Sequence, residues 1–143
     1  MNEIYHHALK LLRRKDYTRR QLEEKLEAKF GQIPDEITQQ LLVKRFLDDR
    51  RYAENFVTKH SDSHPDWVRQ ALEDAGIARK TVDLAIAASE WPSLRDVIKA
   101  KILVWRLRPP LERRAVARLF RLLNRLGYPE DDIREELEQL HEQ

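Results

Sequence analysis

The feature that most limits what this chain can fold into is its glycine content. There are three glycines in 143 residues, Gly31, Gly76 and Gly127, set 45 and 51 residues apart. Each is followed by apolar residues at plus six and plus ten: Ile37 and Leu41, Val82 and Ile86, Ile133 and Leu137. Before each, an apolar-periodic run ends: Leu22, Leu26 and Phe30, then Val68, Leu72 and Ala75, then Leu119, Leu123 and Leu126. Glycine enters the left-handed conformation that closes a helix without a Cβ penalty. The pattern therefore reads helix, glycine, helix, three times over. Self-similarity at such a period marks stacked helical units that share a core.

Average usage would place about ten glycines in a chain of this length, and the 41% hydrophobic and 36% charged residues fit an all-helical protein. The absence of cysteine excludes a disulfide frame and a thiolate metal site. No run of 18 apolar residues suggests a membrane span, and no apolar core near the N-terminus suggests a signal peptide. The expected location is the cytoplasm, with no membrane partner.

Helix boundaries follow from caps and periodicity. Residues 3–14 place Ile4, Ala8, Leu11 and Leu12 on one face. Thr18 and Gln21 have capping-box spacing ahead of the helix that ends at Gly31. Pro34 opens a third helix carrying Ile37, Leu41, Leu42 and Phe46, and Asp48 and Asp49 suit the start of a fourth with Tyr52, Ala53, Phe56 and Val57. Ser61 to His64 breaks the pattern. Pro65 restarts it with Trp67, Val68 and Leu72. Glu90 to Pro92 is the next boundary, with Ser93 and Asp96 at capping-box spacing. Leu94, Val97, Ile98, Ile102 and Trp105 then share a face, Pro109 and Pro110 turn the chain, and Pro129 opens the last helix. Nine helices result. The expected fold is all-α: three tandem three-helix repeats, residues 1–47, 48–91 and 92–143, forming an elongated, curved helical array.

Over nearly its whole length the chain resembles the RecX regulators of the RecA recombinase. The likeness rests on Ala8-Leu9, the Thr18-x-x-Gln-Leu-x-x-Lys-Leu26 segment, the run from Phe46-Leu47-Asp48-Asp49-Arg50-Arg51-Tyr52-Ala53 to Phe56-Val57, the segment from Val68-Arg69 through Leu72 to Gly76-Ile77, and Leu123 to Leu137 around Gly127-Tyr128. The resemblance implies a non-enzymatic regulator that lodges in the groove of the recombinase filament on DNA. It implies inhibition of ATPase and strand-exchange activity, and so modulation of recombination and DNA repair. The implied partners are the RecA filament and, weakly and non-specifically, single- and double-stranded DNA; a monomer is expected. One departure is local: Ser61-Asp62-Ser63-His64 stands where similar proteins carry a basic, glycine-containing loop.

Charge placement points to a binding surface independently. The net charge is only +2, but residues 95–125 hold ten basic residues against Asp96 and Glu112, and residues 130–143 hold seven acids against Arg134. Arg114, Arg118, Arg121 and Arg125 are spaced 4, 3, 4, which gathers them within about 60° on one helix face, away from Leu119, Leu122, Leu123 and Leu126. Like charges so placed destabilise an isolated helix by roughly 0.2 to 0.5 kcal/mol a pair, so a counter-charge is expected. Two sources fit: the acidic last helix, through Glu135, Glu136 and Glu138, or phosphates or carboxylates of a partner, which guanidinium forks recognise. A second cluster, Lys10, Arg13, Arg14, Lys15, Arg19 and Arg20, spans the end of the first helix and the start of the second. Cations there also suit the helix terminus itself.

Other constellations read as structural. His60 and His64 are four apart, but the break before Pro65 spoils their geometry as metal ligands and no third ligand is adjacent. Asp48-Asp49 has no nucleophile or base at motif spacing and reads as a cap. Trp67 and Trp105 fall at core positions. Isolated glycines form no phosphate-cradling loop, so no nucleotide, cofactor or metal is expected. Two other classes stay open: a helix-turn-helix-like DNA-binding protein and a helical protein-binding adaptor.

Overall fold

The computed structural model describes residues 2–141. Met1, Glu142 and Gln143, at the ends of the first and third expected repeats, lie outside the described residues. Among the described residues there are nine α-helices and no strand: α1 (Asn2–Arg14), α2 (Arg19–Phe30), α3 (Asp35–Val43), α4 (Asp49–Lys59), α5 (Pro65–Asp74), α6 (Arg79–Ala87), α7 (Leu94–Val104), α8 (Arg113–Arg125) and α9 (Glu130–His141).

The starts of these helices follow the side chains expected to cap them. Thr18 forms a complete capping box: its Oγ1 accepts from Gln21 N at 3.2 Å, and Thr18 N donates to Gln21 Oε1 at 3.0 Å. Asp48 Oδ1 accepts from Arg51 N at 3.2 Å at the start of α4. Ser93 caps α7 by accepting from Asp96 N at 3.1 Å, without the return bond, because an aspartate at that position is one methylene shorter than the Glu or Gln that closes the box.

All three glycines sit just past helix ends with positive φ, 77° at Gly31, 91° at Gly76 and 95° at Gly127. Two further corners take the same conformation without glycine. Arg45 and Arg106 have φ 59° and 56°, and Phe46 N to Leu41 O (3.0 Å) and Leu107 N to Ile102 O (2.9 Å) close the ends of α3 and α7. A left-handed non-glycine residue costs roughly 1 to 2 kcal/mol, and here the closing hydrogen bonds offset part of it.

The chain divides into two compact units. The first comprises Met1–Lys59 and Arg69–Ser89, the second His60–Val68 and Glu90–Gln143. In the first, α1 packs on α2 around a core that includes Ala8, Tyr17, Leu22, Leu26, Ile37, Leu41 and Leu47, and α4 packs on α6. In the second, α9 packs on both α7 and α8 around Val97, Ile98, Ile102, Leu119, Leu123, Tyr128, Ile133 and Leu137. Each fully buried leucine or isoleucine contributes about 1.5 to 3 kcal/mol relative to exposure. Two expected core aromatics lie elsewhere. Phe46 is 46% exposed because α3 ends at Val43, before its periodicity reaches residue 46, and Trp67 is 38% exposed beside His60, ring centroids 5.4 Å apart.

The two units contain the same joint. In the first, the α2 cap reaches the end of α5: Thr18 Oγ1 donates to the Ala75 carbonyl at 2.6 Å, one residue before Gly76. In the second, the residue before α5 reaches the end of α8: His64 N donates to the Leu126 carbonyl at 2.9 Å, one residue before Gly127.

Candidate functional site

α8 carries the arginine face. Leu119 and Leu123 are completely buried, which turns Arg114, Arg118, Arg121 and Arg125 outward, and all four are exposed. Among the described residues no carboxylate forms an ion pair with any of them. Arg118 instead lays its guanidinium over the Trp105 ring, 3.7 Å from the centroid. Trp105 is thus only partly a core residue: its ring packs against the core of the second unit and supports a cation on its other side. Stacking of this kind holds a guanidinium in place while leaving its N–H groups available to an anion.

The acidic last helix does not supply the expected counter-charge. α9 packs against α8, yet Glu136 pairs with Arg95 on α7 at 3.1 Å, and Glu130 and Asp131 pair with Arg134 on their own helix at 3.4 and 3.5 Å. Glu135 and Glu138 are exposed and make no ion pair with the stripe. Packing α9 through Ile133 and Leu137 fixes its rotation, and that rotation sends Glu136 toward α7.

The second basic cluster splits in two. Arg19 pairs with Glu23 at 2.9 Å, and Arg20 pairs with Glu24 at 3.5 Å and also donates from Nη2 to the Asp74 carbonyl. Both hold the start of α2 in place. Lys10, Arg13 and Arg14 are exposed and have no carboxylate partner among the described residues. Lys15 lies over the Tyr17 ring at 4.9 Å.

Three residues that sequence reasoning passed over complete this face. His7 precedes Lys10 and Arg14 at helical spacing on α1, and Lys25 and Lys29 follow one another by one turn on α2. His7 packs edge-on against Phe30, ring centroids 5.6 Å apart. Burial, then the positive charges of Lys29, Lys10, Arg14 and Lys25, hold its imidazole below the usual value of 6.5. The i,i+4 pair Lys25 and Lys29 was visible in the sequence; its meeting with α1 depends on the helix pairing.

The remaining candidates have structural roles. His60 follows the end of α4, and His64 precedes α5, where Nδ1 accepts from Asp66 N at 3.0 Å and the ring meets Tyr128 edge-on at 5.3 Å. They share no helix face. Among the described residues no group of three His, Asp or Glu side chains is placed to hold a metal ion. Asp49 Oδ1 accepts from Arg19 N at 2.8 Å, a tie between α4 and α2. No described helix is long and apolar enough to cross a membrane. The geometry that stands out is two exposed cationic faces, one in each unit.

No family model matches the chain. It is 30% identical over 132 residues to a protein of Halorhodospira halophila described as regulatory protein RecX, covering 89% of this chain and 81% of that protein. It is 33% identical over 130 residues to the regulatory protein RecX of Thermus thermophilus, covering 90% and 85%. The crystal structure of RecX from Lactobacillus salivarius shares the fold, with a TM-score of 0.64 over 97% of this chain and 95% of that one at 21% identity. On that extent and level of identity, the chain belongs to the RecX family of regulatory proteins.

Proposed function

We propose that this protein binds the RecA recombinase filament on DNA and, by occupying it, inhibits ATP hydrolysis and strand exchange. The single observation that carries the reading is the arginine face of α8, four exposed cations on one helix with no carboxylate partner among the described residues. Family membership supports the regulatory class. The mechanism is steric and electrostatic. Guanidinium groups engage phosphates or carboxylates along the filament, and DNA contact is weak and non-specific. The protein acts without catalysis or cofactor, as a cytoplasmic monomer. Its helices form three repeats, 1–47, 48–91 and 92–143, that spread many modest contacts over neighbouring protomers.

The test is the recombinase's ATPase rate on single-stranded DNA with and without this protein. Inhibition at substoichiometric or equal amounts is expected, with no ATP hydrolysis by the protein alone; an unchanged rate at saturating protein rejects the reading. Changing Arg114, Arg118, Arg121 and Arg125 together to glutamine is expected to weaken filament binding at least tenfold, about 1.4 kcal/mol. Folding should survive, because exposed substitutions usually stay within about 0.5 kcal/mol each. If the stripe meets phosphates, the logarithmic salt slope also falls, by up to about 3. A fixed slope with reduced affinity assigns it to protein carboxylates.

A further inference from the structure

The basic face of α1 and α2 differs in kind from the arginine stripe. It gathers Lys10 and Arg14 from one helix with Lys25 and Lys29 from the next, around the partly buried ring of His7. The carboxylate on the same stripe of α1 is Glu3, one turn before His7. On α2, the cations and the acids Glu23 and Glu27 occupy opposite edges of the buried Leu22 and Leu26, so the acidic edge points away from α1's cations. The Nζ groups of Lys25 and Lys29 lie over aromatic rings, 5.7 Å from the Tyr17 centroid and 5.6 Å from that of Phe30. Among the described residues, the large exposed apolar side chains are Val43, Phe46, Trp67, Leu84, Leu103 and Val104, none of them on α1 or α2. A cationic surface without an apolar centre lacks what protein interfaces bury and has what a phosphate backbone needs.

We propose that His7, Lys10, Arg14, Lys25 and Lys29 form a phosphodiester-binding site for single-stranded nucleic acid whose affinity rises as His7 takes up a proton. The inference deepens the filament reading by naming the chemistry of one face, and it is tested without recombinase, so either can fail alone. The charged groups facing His7 are Lys10 and Arg14 from α1 and Lys25 and Lys29 from α2, all positive. Burial first, and these cations second, keep the free imidazole neutral near pH 7. A phosphate arriving among them supplies the opposite charge, raises the imidazole's proton affinity and gains a further N–H donor. Affinity therefore climbs as pH falls through the bound-state value and levels off below the free-state value.

Fluorescence anisotropy with a labelled 20-nucleotide oligothymidylate, at pH 5.5 and 7.5 and several salt concentrations, tests this. From pH 7.5 to 5.5 the wild type should gain about fivefold more affinity than His7→Gln, within the limit of tenfold per pH unit set by one proton. Lys25→Gln with Lys29→Gln, both exposed, should lower the salt slope by about 1.4, two single-strand contacts. Equal pH dependence in His7→Gln and wild type overturns the proton-linked part, and an unchanged salt slope in the lysine variant overturns the site. Tighter binding to poly-glutamate than to the oligonucleotide also overturns it, in favour of a protein partner.

Discussion

The joint at the end of α5 and the joint at the end of α8 do the same work with different groups. In the first unit a buried threonine hydroxyl donates to the Ala75 carbonyl, and the Arg20 side chain crosses Gly76; in the second a backbone N–H donates to Leu126, and Trp67 crosses Gly127. An added Cβ at Gly76 would meet Arg20 Cβ at 2.7 Å, and one at Gly127 would overlap Trp67 Cβ and ring, whereas Gly31 has nothing within 4 Å. The three glycines look alike in sequence, but two are required by φ and by a neighbouring helix start, and one by φ alone.

This contrast orders the expected costs of alanine. Gly127→Ala should destabilise by about 3 kcal/mol, combining a strained φ with overpacking against the base of a tryptophan that cannot swing away. Gly76→Ala should cost about 2 kcal/mol, since the distal part of Arg20 can move although its Cβ cannot. Denaturant melts rank them, and equal costs would show that φ strain dominates and the crossings are incidental.

Thr18→Ala removes both the α2 cap and the bond to Ala75, for about 2 kcal/mol, roughly one for each. Thr18→Ser keeps the hydroxyl and should recover most of it. His64→Ala leaves its backbone bond to Leu126 intact and loses only the cap to Asp66 and the ring contact with Tyr128, so about 1 kcal/mol is expected. A larger loss than Thr18→Ala would place the second joint in the aromatic contact rather than the backbone. Gly31→Ala, with open space at its Cβ, should cost only about 1 kcal/mol, the left-handed penalty itself.

Helix count, the Thr18 box and the glycine corners were legible because local rules govern them: capping spacing, a 3.6-residue period and the freedom of glycine at positive φ. The outward-facing arginines were legible for the same reason, since Leu119 and Leu123 set the rotation of α8. The corners at Arg45 and Arg106 were not, because arginine carries no signal for a left-handed residue and the closing bonds from Phe46 and Leu107 are seen only in three dimensions. The fate of the acids on α9 was equally hidden: whether Glu136 faces Arg95 or the stripe depends on how α7, α8 and α9 pack. His7 and its lysines were missed because their face is shared by two helices.

The smallest expected effect separates the joints by pH. Tyr128 is buried beside Gly127, and its hydroxyl donates to the Asp62 carbonyl at 3.1 Å, in a loop also tied by the Lys101–Asp62 ion pair at 3.2 Å. Tyr128→Phe keeps the ring and loses the hydrogen bond, for about 1 kcal/mol. Burial first, and Asp62 second, push the phenol above its ordinary value of 10.0. The unfolded chain therefore releases this proton at a lower pH than the folded one, so the contribution of Tyr128 is complete below pH 10 and falls as pH rises through the folded value. The stability gap between wild type and Tyr128→Phe should hold from pH 8 to 10 and narrow above pH 10, an effect the hydroxyl joint at Thr18 cannot show. A gap that is already absent at pH 8 would mean that the Lys101 pair holds the loop without the phenol.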